Sequence, residues 1–141
     1  MTTTLTARPA PARPTVAGGT ALRRVLLADA VVTGANGVAY LAGATTLDGL
    51  LGPTAATLRP IGAFLVAFAA VLVVVATRRP IPAPAVRQLM AGNALWVLAS
   101  VVVAVTGALG TTGVGTAWVV LQAVAVAGFV ALQRWALARR A

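Results

Sequence analysis

Residues 22–44, LRRVLLADAVVTGANGVAYLAGA, decide the fold. Two arginines open the stretch, and the apolar run behind them is about 20 residues long, enough to cross a hydrocarbon layer as a helix. Ala42-Gly43-Ala44 offers the small residues of a signal-peptidase site, but Asp29 interrupts the run and its length suits a span, so the segment is read as retained. With the first span at 25–44, three further apolar stretches follow at 61–77, 88–108 and 114–132. These runs are continuous and do not alternate with period two, which excludes barrel strands. Backbone groups in hydrocarbon have only one another to bond, which leaves helices. The expected fold class is all-α, a transmembrane four-helix bundle.

Charge supplies the threading. All eleven basic residues are arginines. Arg8, Arg13, Arg23 and Arg24 precede the first span, Arg78, Arg79 and Arg87 lie between the second and third, and Arg134, Arg139 and Arg140 follow the fourth; only Arg59 falls on the other side. Basic residues are held in the cytoplasm during insertion, so both termini and the middle loop are expected to be cytoplasmic. The location that follows is a bacterial cytoplasmic (inner) membrane, crossed several times. The formal charge of +9 also favours anionic lipid at the inner surface, by about 1 kcal/mol per basic residue. Nucleic acid is not an expected partner, because the arginines stand where topology requires them and form no separate basic face.

The inventory of side chains removes most chemistry. A composition 60% hydrophobic and 9% charged is too apolar for a soluble domain, in which about 25% of residues are charged. Cysteine and histidine are absent, which excludes disulfides, thiol nucleophiles and the usual zinc or haem ligation. Lysine and glutamate are absent too, Ser100 is the single serine, and Asp29 and Asp48 are the only carboxylates. No Ser-His-Asp triad or Ser-Lys dyad can be assembled from this set. The two aspartates stand at opposite ends of the first span and cannot form an aspartyl dyad. No cofactor is expected, and the chain is not expected to be an enzyme.

Three segments organise the chain: a disordered basic N-terminal tail over 1–21, a four-helix transmembrane domain over 22–134 and a basic C-terminal tail over 135–141. The outer loop, 45–60, holds Leu47, Leu50 and Leu51 ahead of Gly52-Pro53 and fits either a plain loop or one interfacial helical turn. TRRPIPAPAVR, residues 77–87, ends one helix and starts the next. The short Gly- and Thr-rich segment 107–115 makes the last two spans a tight hairpin. Aligning Asp29-Ala30 with Asn93-Ala94 also pairs Asn36 with Ser100 and Gly43 with Gly107, and a slightly shorter offset pairs Phe68 with Phe129. The pattern admits a parallel two-hairpin repeat about the membrane normal.

The polar residues inside the spans are the candidate site. Asp29, Thr33, Asn36 and Tyr40 fall at i, i+4, i+7 and i+11, on one face of the first helix. Leu27, Val31, Val38 and Leu41 form the opposite, lipid-suited face. Asn93, Trp96 and Ser100 share a face of the third span, and Trp118, Gln122, Phe129 and Gln133 a stripe of the fourth. Lipid offers amides nothing to bond, so these stripes are expected to face one another. Depth then selects partners. Asp29 lies about 7 Å past Arg24 and Asn93 about 9 Å past Arg87, while Asn36, about 17 Å from the inner surface, matches Gln122, about 12 Å below the outer one. The expected contacts are Asp29–Asn93 and Asn36–Gln122. Asp29 is also within reach of the neighbouring arginines, and Arg59 is read as a surface residue in preference to a partner of Asp48. Gly34, Gly37, Gly43, Gly62, Gly92 and Gly128 are expected at close helix contacts.

The segments LLADAVVTGANGVAYLAG (26–43), LRPIGAFLVAF (58–68), GNALWVLASV (92–101) and LQAVAVAGFVALQ (121–133) give the chain a likeness across residues 22–134. It resembles the uncharacterised small four-span integral membrane proteins of high-GC, actinobacterial-type bacteria. The resemblance implies the four-span fold and carries no activity with it. Likeness to small multidrug-resistance exporters is confined to outline, since those use a glutamate well inside the membrane and Asp29 is shallow. Two classes of function remain open: a structural or accessory membrane protein whose polar seam specifies packing, and a small proton- or cation-coupled transporter or channel using Asp29. A homo-oligomer or a second membrane protein is the partner either class admits.

Overall fold

A computed structural model describes residues 16–139. Arg8, Arg13 and the rest of 1–15, together with Arg140 and Ala141, lie outside the described residues. The described residues form helices joined by short turns: α1 (Val16–Ala42), α2 (Ala44–Leu51), α3 (Ala55–Thr77), α4 (Ala83–Thr106) and α5 (Gly113–Ala138). α1, α3, α4 and α5 are long and apolar enough to cross a membrane. Their outer faces agree with that environment, since Val31, Leu95, Val105 and Val124 are among many large apolar side chains left exposed. A water-soluble domain rarely presents so much contiguous apolar surface. Leu27, Val31, Val38 and Leu41 all face outward, on the side expected to meet lipid.

The bundle is two hairpins laid side by side. α1 packs mainly on α3 and α4 mainly on α5, contacts between α1 and α5 join the pairs, and α3 and α4 touch over little of their length. Lipid supplies no hydrophobic drive between helices, so close van der Waals packing has to hold them. α1 and α3 achieve it at Gly37 and Gly62, where a methyl group on Gly37 would stand 2.8 Å from the Gly62 carbonyl oxygen and 2.9 Å from the Val66 nitrogen. Gly34 faces the Ala69 methyl one turn away, and Gly92 gives room to the Phe68 ring. Gly128, expected at such a contact, has nothing within 4 Å.

Helix ends differ from the sequence reading, each for a local reason. α1 begins at Val16, inside the segment read as tail, because Ala21 and Leu22 pack into the inner core with Leu26, Leu72 and Val86. α5 continues through Trp135 to Ala138 since Ala136 is fully buried and Leu137 packs on the same core. α3 starts at Ala55 instead of 61: burial of Leu58 on α1 and α2 holds the added turn, although Pro60, six residues in, removes one intrahelical hydrogen bond. α4 starts at Ala83 because Pro84 falls in the first turn, where a missing N–H costs nothing. Within the outer loop, α2 makes two turns in place of coil, burying Ala44 and Leu51 against Tyr40, Leu58 and Leu65.

Both ends of the bundle are fastened. At the outer end Thr112 Oγ1 donates to the Leu50 carbonyl at 2.6 Å and the Thr112 N–H to the Leu51 carbonyl at 3.0 Å. The same hydroxyl accepts from the Gly115 N–H at 3.0 Å and so caps α5 while it ties down α2. Gly52, at φ 101°, and Gly115 permit this contact, since a methyl group on either would run into the backbone of Gly110 or Leu51. At the other end Arg23 donates from Nε to the Ala76 carbonyl at 2.9 Å and from Nη2 to the Arg78 carbonyl at 3.3 Å. A cation at the C-terminus of α3 satisfies carbonyls the helix leaves open.

Candidate functional site

The polar side chains gather along the face of α1 that looks into the bundle, in two hydrogen-bonded groups. Asp29, fully buried, anchors the first. Asn93 Nδ2 on α4 and Gln133 Nε2 on α5 both donate to its Oδ2 at 2.7 Å. Thr33, one turn along α1, donates its hydroxyl to Oδ1 at 3.1 Å. One carboxylate thereby joins three helices through neutral donors alone. None of these partners is an arginine: Arg23, the near candidate, is engaged with the end of α3. A guanidinium at this depth would carry its own desolvation cost, whereas an amide can pair with little penalty.

The second group lies about two turns nearer the outer surface. Asn36 Nδ2 donates to Gln122 Oε1 at 2.8 Å, and Gln122 Nε2 donates to the Tyr40 hydroxyl at 2.7 Å. Trp118 Nε1 also donates to that hydroxyl, at 3.0 Å. Both contacts expected from depth, Asp29–Asn93 and Asn36–Gln122, are present. Thr33 and Tyr40 join them on the expected face of α1. Ser100 takes no part in either group; it is buried beside Tyr40 and Gln122 on the wall of a smaller cavity. Gln133 is the residue that sequence leaves underused. It falls three turns from Gln122 on the same stripe and next to Arg134 at the inner end, so the depth rule that pairs Asp29 with Asn93 also reaches Gln133.

Among the described residues, two buried side-chain oxygens have no partner, Asn36 Oδ1 and Gln133 Oε1. The first belongs to a residue on the wall of a partly open cavity of about 530 Å³ between α1, α3, α4 and α5. Its lining is mostly apolar and includes Phe64, Phe68, Trp96 and Trp118, with Asn93 and Gln122 among the polar groups. Where α3 and α4 fail to touch closely, Phe64 bridges the gap, its centroid 6.2 Å from Trp96 at 15° between planes and 6.0 Å from Phe68. These distances are those of offset stacking.

At the arginine-rich end, the Arg139 guanidinium sits over the Trp135 ring at 4.0 Å from its centroid, a cation–π contact that anchors the last turn of α5. Asp48 stands on α2, at the opposite end of α1 from Asp29, so the two carboxylates share no site.

Fold and seam together define an all-α, multi-pass membrane protein with a hydrogen-bonded polar interior. Compared with known protein families, curated proteins and solved structures, the chain matches none.

Proposed function

We propose that this chain is an accessory protein of a bacterial cytoplasmic membrane, with no chemistry of its own, and that its polar seam fixes the shape offered to a membrane-protein partner or a second copy. The observation that carries the reading is the use made of Asp29: both carboxylate oxygens are taken, by donors on its own helix, on α4 and on α5. An acid placed in a span costs about 2.5–3.5 kcal/mol at mid-bilayer and less near the surface. Two interhelical hydrogen bonds of about 0.6–1.7 kcal/mol each offset part of that cost while they set the rotation of three helices. In this reading the arginine-rich end, with both termini and the 77–87 turn, faces the cytoplasm and its anionic lipid.

A second reading, proton- or cation-coupled transport through Asp29, draws on Gln133 Oε1, a buried oxygen with no partner beside the carboxylate. Flux in liposomes separates the two. The accessory reading expects no proton or sodium movement above protein-free vesicles, in the parent or in Asp29→Asn. Flux in the parent that disappears in a folded Asp29→Asn would replace it with transport. Reporters active only in the periplasm, fused to either end, should stay dark; a signal from one of them reverses the threading.

A further inference from the structure

We propose that the cavity between α1, α3, α4 and α5 binds a neutral, planar aromatic alcohol taken from the bilayer, of the phenol or hydroquinone class. At about 530 Å³ it lies within the roughly 300–1,000 Å³ of small-molecule sites, and like them it combines apolar walls with a few polar groups. Three features set the chemistry of the occupant.

The first is charge. Among the described residues, no ionisable side chain lines the wall. The nearby carboxylate, Asp29, is screened from it by Thr33 and Asn93, which line the cavity and donate to its oxygens. A ligand reaching this depth through hydrocarbon pays heavily for a charge and meets no counter-charge on the wall.

The second is shape. α3 and α4 are joined at the cavity by rings instead of backbone packing, with Phe64 and Trp96 nearly parallel and Phe68 next in line. A flat aromatic ring extends or interrupts such a stack at little cost. Gly92, which carries no side chain against the Phe68 ring, keeps this part of the wall thin.

The third is polarity. Each amide nitrogen on the wall already donates one hydrogen bond: Asn36 Nδ2 to Gln122, Gln122 Nε2 to Tyr40, and Asn93 Nδ2 to Asp29. Among the described residues, one buried polar atom of this wall has no partner at all, and it is an acceptor, Asn36 Oδ1. The terminal torsion of an asparagine is broad, so a turn of the amide presents this oxygen to the cavity, in exchange for the bond from Nδ2 to Gln122. A hydroxyl on the ligand satisfies it; an ether, a ketone or an acyl chain does not.

The test uses the full chain in lipid nanodiscs with Trp135→Phe, so that all tryptophan emission comes from Trp96 and Trp118 on the cavity wall. The probes are 4-bromophenol and 4-bromoanisole, which differ in the hydroxyl proton and quench by contact through bromine. Quenching by 4-bromophenol should saturate, at a bilayer mole fraction roughly five- to tenfold below that for 4-bromoanisole, the factor of one neutral hydrogen bond. Ala125→Phe, which puts a ring into the cavity, should abolish the saturable part while helicity is unchanged. Quenching that rises linearly with mole fraction, or that saturates equally for both probes, overturns the proposal, as does saturation that survives a folded Ala125→Phe. If that variant does not fold, the comparison of the two probes on the parent decides alone. Because neither probe bears on ion flux, the outcome is independent of the role of Asp29.

Discussion

Replacing Gly37 by alanine tests the contact on which the first hairpin depends. The new methyl would lie 2.8 Å from the Gly62 carbonyl oxygen, 2.9 Å from the Val66 nitrogen and 2.9 Å from Val66 Cγ2. Comfortable non-bonded separations begin at about 3.5 Å, so the helices have to part by about half an ångström or more. A gap of that size forfeits about a quarter to a half of each contact it opens, and the obstructing atoms are mainly backbone, which no rotamer change removes. Overpacking of this kind costs about 2–3 kcal/mol, while alanine in place of glycine returns about 1 kcal/mol of helix propensity. The net expectation is a loss of about 1–2 kcal/mol. Gly128→Ala is the matched control: with nothing within 4 Å it keeps only the gain and should stabilise by about 0.5–1 kcal/mol. Reversible unfolding in mixed micelles, followed by circular dichroism, reads both. If Gly37→Ala is as stable as Gly128→Ala, the close approach of α1 and α3 is not what holds the hairpin, and the reasoning fails.

Three further outcomes follow from other contacts. Asn93→Leu withdraws one donor from the buried Asp29 carboxylate and should cost about 1–3 kcal/mol, with Asp29→Leu in the same chain restoring part of it; an additive double variant in the same unfolding assay would show that the two residues do not interact. Thr112→Val removes both the cap of α5 and the bond to Leu50, a loss of about 1–2 kcal/mol accompanied by faster proteolysis at the turn between α2 and α3; unchanged cleavage would mean that α2 is held by other contacts. The chain has no native cysteine, so Asn36→Cys with Gln122→Cys should crosslink through a short bifunctional reagent, while Val31→Cys with Leu95→Cys, both facing outward, should not. The reverse pattern on a denaturing gel would put the polar faces on the outside.

The parts of the fold open to sequence reading are those governed by one strong term. Burial in hydrocarbon penalises every unpaired polar group, so the number of spans, the face of α1 bearing Asp29 and Asn36, and the partners Asn93 and Gln122 all follow from spacing and depth. Gln133 fits the same rule, yet its place beside Arg134 makes it look like an interfacial residue, and only its complete burial marks it as part of the seam. Helix ends depend on weaker, local balances. Pro60 and Pro84 resemble breaks in a linear sequence, but Pro84 falls in the first turn of α4, where it costs little, and the turn ahead of Pro60 is held by the burial of Leu58. α2 exists because Leu51 and Ala44 find apolar cover from α1 and α3, and the hydroxyl that secures it, Thr112, is remote in the chain. Arg23 likewise carries topological weight in the sequence, whereas its particular task, closing the end of α3, is visible only once Ala76 and Arg78 are brought beside it.

The lashing of α2 to the start of α5 has a mechanical consequence. With knots at the outer pole and the Asp29 cluster near the inner one, the staves of this small cask are hooped top and bottom, while its waist between α3 and α4 is closed only by rings resting on one another. The weakest hoop is therefore at mid-height, between two tied poles.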